Sequence, residues 1–169
     1  SSQRSLSSEV FASPQGFFER QLVVEVLQHL RSTDLQTYHA ECVALLFPTE
    51  GRYIRYHLLL LLLKWLAWQV EPTGEEYSLM LLLERTNFDD FQRWLSVTGN
   101  NEGWFQKLKG EIPRWLANRD NRAVTMAINY LANFRDTNTD FVIDQVKPYL
   151  DQSQEWNRRV AWLVTHIDR

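Results

Sequence analysis

The sequence predicts an all-α protein, a right-handed superhelix (α-solenoid) of roughly four to five antiparallel helix hairpins. Three observations predict it. The chain of 169 residues is 44% hydrophobic, and its leucine, alanine, glutamine, glutamate and arginine residues outnumber the β-branched ones, which favours helices over sheets. Glycine and proline are few, at 6 and 5 residues. Apolar residues recur every three to four positions between short polar connections, as in helices that pack antiparallel.

The first two predicted helices begin at capping residues. Ser13 and Pro14 are a cap and a first-turn proline, and apolar residues follow at every fourth position. Asp34 caps the second helix, and Pro48 ends it because proline cannot continue the backbone hydrogen bonding. The second helix places these residues on one face: Leu35, Tyr38, Cys42, Leu45 and Leu46.

The third predicted helix contains the longest apolar run. It extends from about Tyr53 to Val70 and includes the unbroken leucines from Leu58 to Leu63. A helix that is apolar on nearly all sides is a buried helix, so we expect this one to be the most buried of the chain. The run is shorter than the roughly 20 residues that span a bilayer, so no membrane span is expected.

The next helices also have recognisable ends. Thr73 and Glu76 stand at the spacing of a capping box, in which each side chain accepts a hydrogen bond from the other residue's backbone N–H. Asn87 caps a fifth helix, and Gly99 closes it. The remaining helices begin near Asn101, at Asp120 or Asn121, near Thr139 and after Ser153. We expect Pro113 to kink the helix that begins at Asn101.

Four arginines repeat at a period of about 35 residues. They are separated by 35, 67 and 36 residues, and the middle interval is close to two periods. They are Arg20, Arg55, Arg122 and Arg158. Phe105 and Phe141 each precede one of these arginines by 17 residues. Such a period predicts stacked helix hairpins, in which each hairpin buries the apolar face of its neighbour. The alternative is a compact irregular bundle with accidental spacing.

Two kinds of resemblance follow from these segments. Residues 120–127 and 156–161 resemble the turn and second-helix start of HEAT-like repeats, in which an arginine stacks from repeat to repeat. Residues 17–25, 54–60 and 112–116 resemble the helical region that follows the nucleotide-binding module of large bacterial STAND-type signalling NTPases. This resemblance implies a sensor or arm region, with the nucleotide chemistry elsewhere in a longer chain.

The repeat is irregular around residues 87–103, so the resemblance leaves the number of repeats open. We expect residues 1–12 to be a disordered or cloning-derived segment and residues 13–169 to be a helical-repeat domain, a fragment of a longer protein. Cys42 is the single cysteine, which excludes an intrachain disulfide and indicates an intracellular, cytoplasmic protein.

No motif in the sequence predicts catalysis. The glycines do not form a phosphate-binding loop, and the four histidines are far apart. His39 and Cys42 could share a metal only with further ligands, and we expect core packing instead. The acidic pairs Glu75–Glu76 and Asp89–Asp90 fall in first helical turns, where the helix dipole favours negative charge. We therefore predict no enzyme and no catalytic, cofactor-binding or metal-binding residue.

Arginines are the candidate partner-binding residues. Arg52 and Arg55 could grip a phosphate or an acidic partner, or they could form a solvated helix entrance beside Glu50. Arg122, Arg158 and Arg159 could form a ladder for an acidic peptide, or they could bind carbonyls and carboxylates of the neighbouring repeat.

The predicted function is a non-catalytic binding or sensor region that contacts a protein or another domain of its parent chain. An uncapped repeat end could also form a homodimer. A HEAT-like nucleic-acid-binding or DNA-repair protein is one alternative, but the net charge of −3 opposes binding to phosphate backbones. Most tryptophans fall at core-facing positions, which opposes a base-stacking role. A compact bundle that binds a small apolar ligand is the other alternative.

Overall fold

The computed structural model describes residues 16–48 and 56–149, with side chains described for residues 20–48 and 57–149. These residues form helices and turns, and no strand occurs among them, which confirms the prediction of an all-α protein. The α-helices are α1 (Gly16–Thr33), α2 (Leu35–Leu46), α3 (Tyr56–Ala67), α4 (Gly74–Thr86), α5 (Phe88–Thr98), α6 (Glu102–Leu108), α7 (Ile112–Leu116), α8 (Asn121–Ala132) and α9 (Thr139–Val146). Short 3₁₀ turns follow α6 at Lys109–Glu111 and α9 at Lys147–Tyr149.

The described starts of α2, α4, α5, α6, α8 and α9 lie where the sequence predicts them. The Asp34 carboxylate accepts a hydrogen bond from the Thr37 backbone N–H at 3.2 Å, at the start of α2. Asn101 and Asp120 cap α6 and α8 in the same way. Gly99 has a φ of +56°, the left-handed conformation that ends α5. The predicted cap at Ser13 and the predicted last helix after Ser153 lie outside the described residues.

Two predicted helices end or divide differently in the structure. Helix α3 ends at Ala67 rather than Val70, because the backbone N–H of Gln69 bonds the carbonyl three residues back, at Leu66. This tighter turn precedes Pro72, and the residue before a proline disfavours helical geometry. The helix expected to kink at Pro113 is instead divided into α6 and α7 by the 3₁₀ turn, with Pro113 in the first turn of α7.

The chain divides into two compact units, residues 1–94 and residues 95–169, with the boundary inside α5. In the first unit α2 is the central helix, and it contacts α1, α3 and α4. The leucine-rich helix α3 is largely buried, as predicted, with Leu62 and Leu66 fully inaccessible to solvent. Leu35, which was expected on the buried face of α2, is 41% exposed at the first position of that helix.

The second unit has a core of aromatic side chains. Trp104, Phe105 and Trp115 are fully buried. The rings of Phe105 and Phe134 stack with centroids 4.0 Å apart, and Phe141 meets Phe105 edge-on at 5.6 Å. Of the tryptophans expected in the core, Trp65, Trp94, Trp104 and Trp115 are buried, and Trp156 and Trp162 lie outside the described residues.

Candidate functional site

A buried carboxylate joins the helix ends of the first unit. Glu76, in the first turn of α4, is fully inaccessible to solvent. Arg31, in the last turn of α1, donates two hydrogen bonds to it, from Nε to Oε2 at 3.0 Å and from Nη2 to Oε1 at 2.9 Å. This two-point geometry is the strongest way in which a guanidinium binds a carboxylate. The pair therefore fixes the end of α1 against the start of α4.

Tyr38 and Trp65 extend this contact to the other two helices. The Tyr38 hydroxyl, from the first turns of α2, donates a hydrogen bond to Oε2 of Glu76. The same hydroxyl accepts a hydrogen bond from Nε1 of Trp65, near the end of α3, at 3.1 Å. We call Arg31, Tyr38, Trp65 and Glu76 the polar junction. It brings together the ends of α1 and α3 and the starts of α2 and α4.

The predicted capping box shares Glu76 with the polar junction. The Thr73 hydroxyl accepts a hydrogen bond from the Glu76 backbone N–H at 3.0 Å, and Oε1 of Glu76 accepts one from the Thr73 backbone N–H at 2.8 Å. Nε2 of His39 lies 3.1 Å from the Thr73 hydroxyl. Each carboxylate oxygen of Glu76 thus has two hydrogen-bond donors, which compensate the charge for its loss of water.

The charges of the polar junction stabilise each other. Burial by itself raises the pKa of Glu76, but hydrogen bonds from Arg31, the Thr73 backbone and Tyr38 outweigh it, and the pKa lies below its ordinary value. The hydrogen bond to Glu76 raises the pKa of Arg31, against the lowering effect of burial. Burial also raises the pKa of Tyr38. An ionised carboxylate whose oxygens are all occupied is poorly suited to transfer protons, so this arrangement positions helices rather than reactants.

The connection between α3 and α4, residues 68–73, carries two exposed apolar side chains. We call it the display loop. Trp68 is 59% exposed and Val70 is 76% exposed. The sequence predicts both residues within a buried helix, and their exposure corrects that prediction. Pro72 disfavours helical geometry at Glu71, which permits a helix end at Val70 as well as at Ala67, so it does not separate the two.

Most of the predicted partner-binding arginines lie outside the described residues: Arg52, Arg55, Arg158 and Arg159. Arg122 is described, at the start of α8, with 60% of its side chain exposed. Its Nη2 lies 2.9 Å from Oδ2 of Asp120, the residue that caps the same helix. This contact lies within the start of α8. The two alternatives from the sequence instead place Arg122 against an acidic peptide or against a neighbouring repeat.

Other surface arginines also contact nearby carboxylates. Arg93 lies 3.4 Å from Asp90, and Arg114 lies 2.7 Å from Glu111, each three residues along its helical segment. Local ion pairs of this kind contribute little to stability, but they reduce the positive charge that a helix presents to an anion.

The structure also describes the residues that the sequence offered as metal ligands or as acidic pairs. Among residues 16–48 and 56–149, no three histidine, cysteine, aspartate or glutamate side chains are grouped closely enough to hold a metal ion. Cys42 is buried in the core, and burial raises the pKa of its thiol to about 12. His39 faces Thr73. In the acidic pairs, Glu76 completes a capping box, and Asp89 and Asp90 lie in the first turn of α5.

Within the same described ranges, no helix has the length and apolar character needed to cross a bilayer.

Comparison of the chain with protein-family models, with curated proteins and with solved structures finds no match.

Proposed function

We propose that the chain is a non-catalytic helical-repeat region that binds a protein partner or another domain of a larger intracellular protein. One observation carries the proposal: side chains separated by about one repeat length touch each other. Phe141 of α9 contacts Phe105 of α6, and Asn138, which precedes α9, donates a hydrogen bond to Glu102 at 2.7 Å. Both pairs are 36 residues apart, which matches the period of the arginines in the sequence.

The first unit shows contacts of the same kind. His39 of α2 meets Thr73 at the start of α4, 34 residues later. Helices α2 and α4 therefore lie with their starts together, which is the arrangement of equivalent helices in successive hairpins of an array. On this proposal each unit contains stacked hairpins, and the chain as a whole is a right-handed superhelix of roughly four to five of them.

A stacked array has long surfaces, and its recognition residues lie on the helices and connections that face solvent. The local pairing of Arg93, Arg114 and Arg122 with carboxylates supports a protein partner rather than a nucleic acid. The resemblance of residues 17–25, 54–60 and 112–116 to the helical region of STAND-type NTPases supports a parent protein whose nucleotide chemistry lies elsewhere.

Small-angle X-ray scattering tests the array. A compact globule of this length has a radius of gyration of about 15 Å. We expect a clearly larger value and an elongated distance distribution. A value at the compact limit would favour the irregular bundle.

Peptide selection tests the binding function. The intact chain would be screened against a displayed library of random peptides, and selected peptides would be measured by fluorescence anisotropy. We expect saturable binding of selected peptides and no binding of labelled double-stranded DNA at low salt. DNA binding that weakens steeply with salt, together with no selected peptide, would support the nucleic-acid alternative.

A further inference from the structure

We propose that the display loop is a docking site for a basic, apolar segment of a partner protein, a segment in which aliphatic residues alternate with lysine or arginine. This inference rests on the proposed function, because it names the surface and the partner chemistry of a protein-binding region. The exposed indole of Trp68 and the exposed side chain of Val70 provide the apolar part. Tryptophan is the residue most enriched among the side chains that dominate binding energy at protein interfaces.

Hydrogen bonds anchor the display loop to the polar junction and to α3. Nη2 of Arg31 donates a hydrogen bond to the Glu71 carbonyl oxygen at 2.9 Å. The Gln69 side chain donates one to the Trp65 carbonyl oxygen at 2.8 Å. Pro72 is buried, and the Thr73 backbone N–H bonds Glu76. A surface that is already ordered loses little conformational entropy on binding, so its exposed apolar groups contribute more to affinity.

Charge around the display loop indicates the partner. Glu71 and Glu75 are exposed, and neither carboxylate has an ion pair within the described part of the chain. Lys64, one turn before Trp68, is the exposed cation nearest along the chain, and Arg31 is already bound to Glu76. Two carboxylates beside an exposed indole suit a partner with lysine or arginine, whose cations bind carboxylates and also aromatic faces.

The test uses a fluorescein-labelled synthetic peptide in which leucine and lysine alternate. Two matched peptides replace all lysines with glutamate or all leucines with serine. We expect the leucine–lysine peptide to bind the wild-type chain with a dissociation constant in the micromolar range and both matched peptides to bind at least about 10-fold more weakly. Trp68→Ala should weaken binding by about 10-fold or more. Equal binding of all three peptides would overturn the proposal.

Charge variants test whether binding depends on the carboxylates at the display loop and the start of α4, or on the net negative charge of the chain. The double variant Glu71→Gln and Glu75→Gln should weaken binding several-fold, about 3 to 10-fold at low salt and less at high salt. The matched control neutralises two exposed carboxylates of the second unit, Asp136→Asn and Asp144→Asn, and should leave binding unchanged. Equal loss in both double variants would show general attraction to an acidic chain and would contradict the docking site.

Two further measurements test whether the peptide binds at Trp68 and whether Arg31 supports that binding. In protein labelled with 5-fluorotryptophan, the ¹⁹F signal that disappears in Trp68→Phe belongs to Trp68, and the leucine–lysine peptide should shift it. Arg31→Lys keeps the charge but loses the two-point contact, so it should loosen the display loop and weaken binding without altering an exposed apolar group. An unshifted Trp68 signal in the presence of bound peptide would overturn the proposal.

Other occupants give different results. If Trp68 is shielded from acrylamide in the free protein, another part of the chain covers it, and the proposal is wrong. Sedimentation that shows a dimer in the wild type and a monomer in Trp68→Ala would assign the surface to a second copy and would also overturn it. If randomly selected peptides bind and Trp68→Ala leaves their affinity unchanged, this docking site fails while the proposed function stands.

Discussion

The two compact units join their helices by different means. In the first unit, the polar junction connects four helix ends through the ion pair between the partly exposed Arg31 and the buried Glu76. In the second unit, stacked and edge-on aromatic rings around Phe105 connect α6, α8 and α9. In both units, side chains that are 34 or 36 residues apart contact each other. The same arrangement is therefore compatible with charged and with apolar contacts.

The two kinds of contact differ in how strictly they require one geometry. An ion pair with a buried carboxylate requires correct geometry, because no water can replace a donor that Glu76 loses. An aromatic cluster is stabilised by buried area and tolerates small changes in ring position. We therefore expect the stability of the first unit to depend on single hydrogen-bonding groups. The stability of the second unit should depend on the buried volume of its side chains. The following variants test that contrast.

Glu76→Ala should have the largest effect. It leaves the Arg31 guanidinium without its counter-charge and removes acceptors from Tyr38 and Thr73. We expect it to lower the free energy of unfolding of the first unit by roughly 2–3 kcal/mol, because the buried Tyr38 hydroxyl loses its acceptor while Arg31 keeps part of its water. Hydrogen exchange of residues 57–86, measured by mass spectrometry, reports this change. The exposed variant Glu25→Gln is the control and should have little effect, and wild-type exchange in Glu76→Ala would contradict the role of the polar junction.

Acid should weaken the first unit through the same carboxylate. The pKa of Glu76 in the folded protein lies below its ordinary value. The unfolded chain therefore binds this proton more readily, so the stabilising contribution is complete above the ordinary glutamate pKa of about 4.3 and is lost as the pH falls through the lower folded value. Urea unfolding at neutral and acidic pH should show a larger loss for wild type than for Glu76→Gln. Identical pH dependence in the two proteins would show that Glu76 carries no such linkage.

Phe105→Leu should have a smaller effect, because it keeps most of the volume while losing the ring contacts. We expect the second unit to lose about 1–2 kcal/mol of its free energy of unfolding. Urea unfolding with hydrogen exchange of residues 102–146 measures it. Val97→Ala, at a side chain that is 39% exposed, is the control and should change little. A loss as large as that of Glu76→Ala would remove the proposed contrast between the units.

Substitutions of two helix caps should have the smallest effects on stability. Thr73→Ala and Asn101→Ala each remove a side chain that accepts a backbone hydrogen bond at a helix start. Either should cost about 1 kcal/mol. The Thr73 hydroxyl also contacts Nε2 of His39, so its loss should be the larger of the two. Urea midpoints of the two variants, each compared with wild type, decide this, and an equal cost would show that the capping box is independent of the polar junction.

The local signals of the sequence predicted the helix starts well. Asp34, Thr73 and Asp120 bond backbone groups two or three residues away, so chain neighbours are enough to identify them. The repeat period has a counterpart in the contact between Phe105 and Phe141. The predicted arginine surface stays a prediction for Arg52, Arg55, Arg158 and Arg159, and the described Arg122 contacts Asp120.

Two neighbouring tryptophans show where the sequence was insufficient. Trp65 and Trp68 belong to one apolar run, yet Trp65 is 7% exposed and Trp68 is 59% exposed. The difference follows from the end of α3 at Ala67 and from the bond of Trp65 to Tyr38, which is 27 residues away in sequence. Apolar character alone does not separate the two residues.

The sequence by itself determined the helical class, the caps and the period, because these depend on residue type and on spacing along a few helical turns. Only the tertiary structure decided that Glu76 is buried, that Arg31 from 45 residues away binds it, and that the display loop exposes Trp68. The physical reason is that charge compensation and burial depend on side chains from other helices, whose approach is fixed only when the helices pack together.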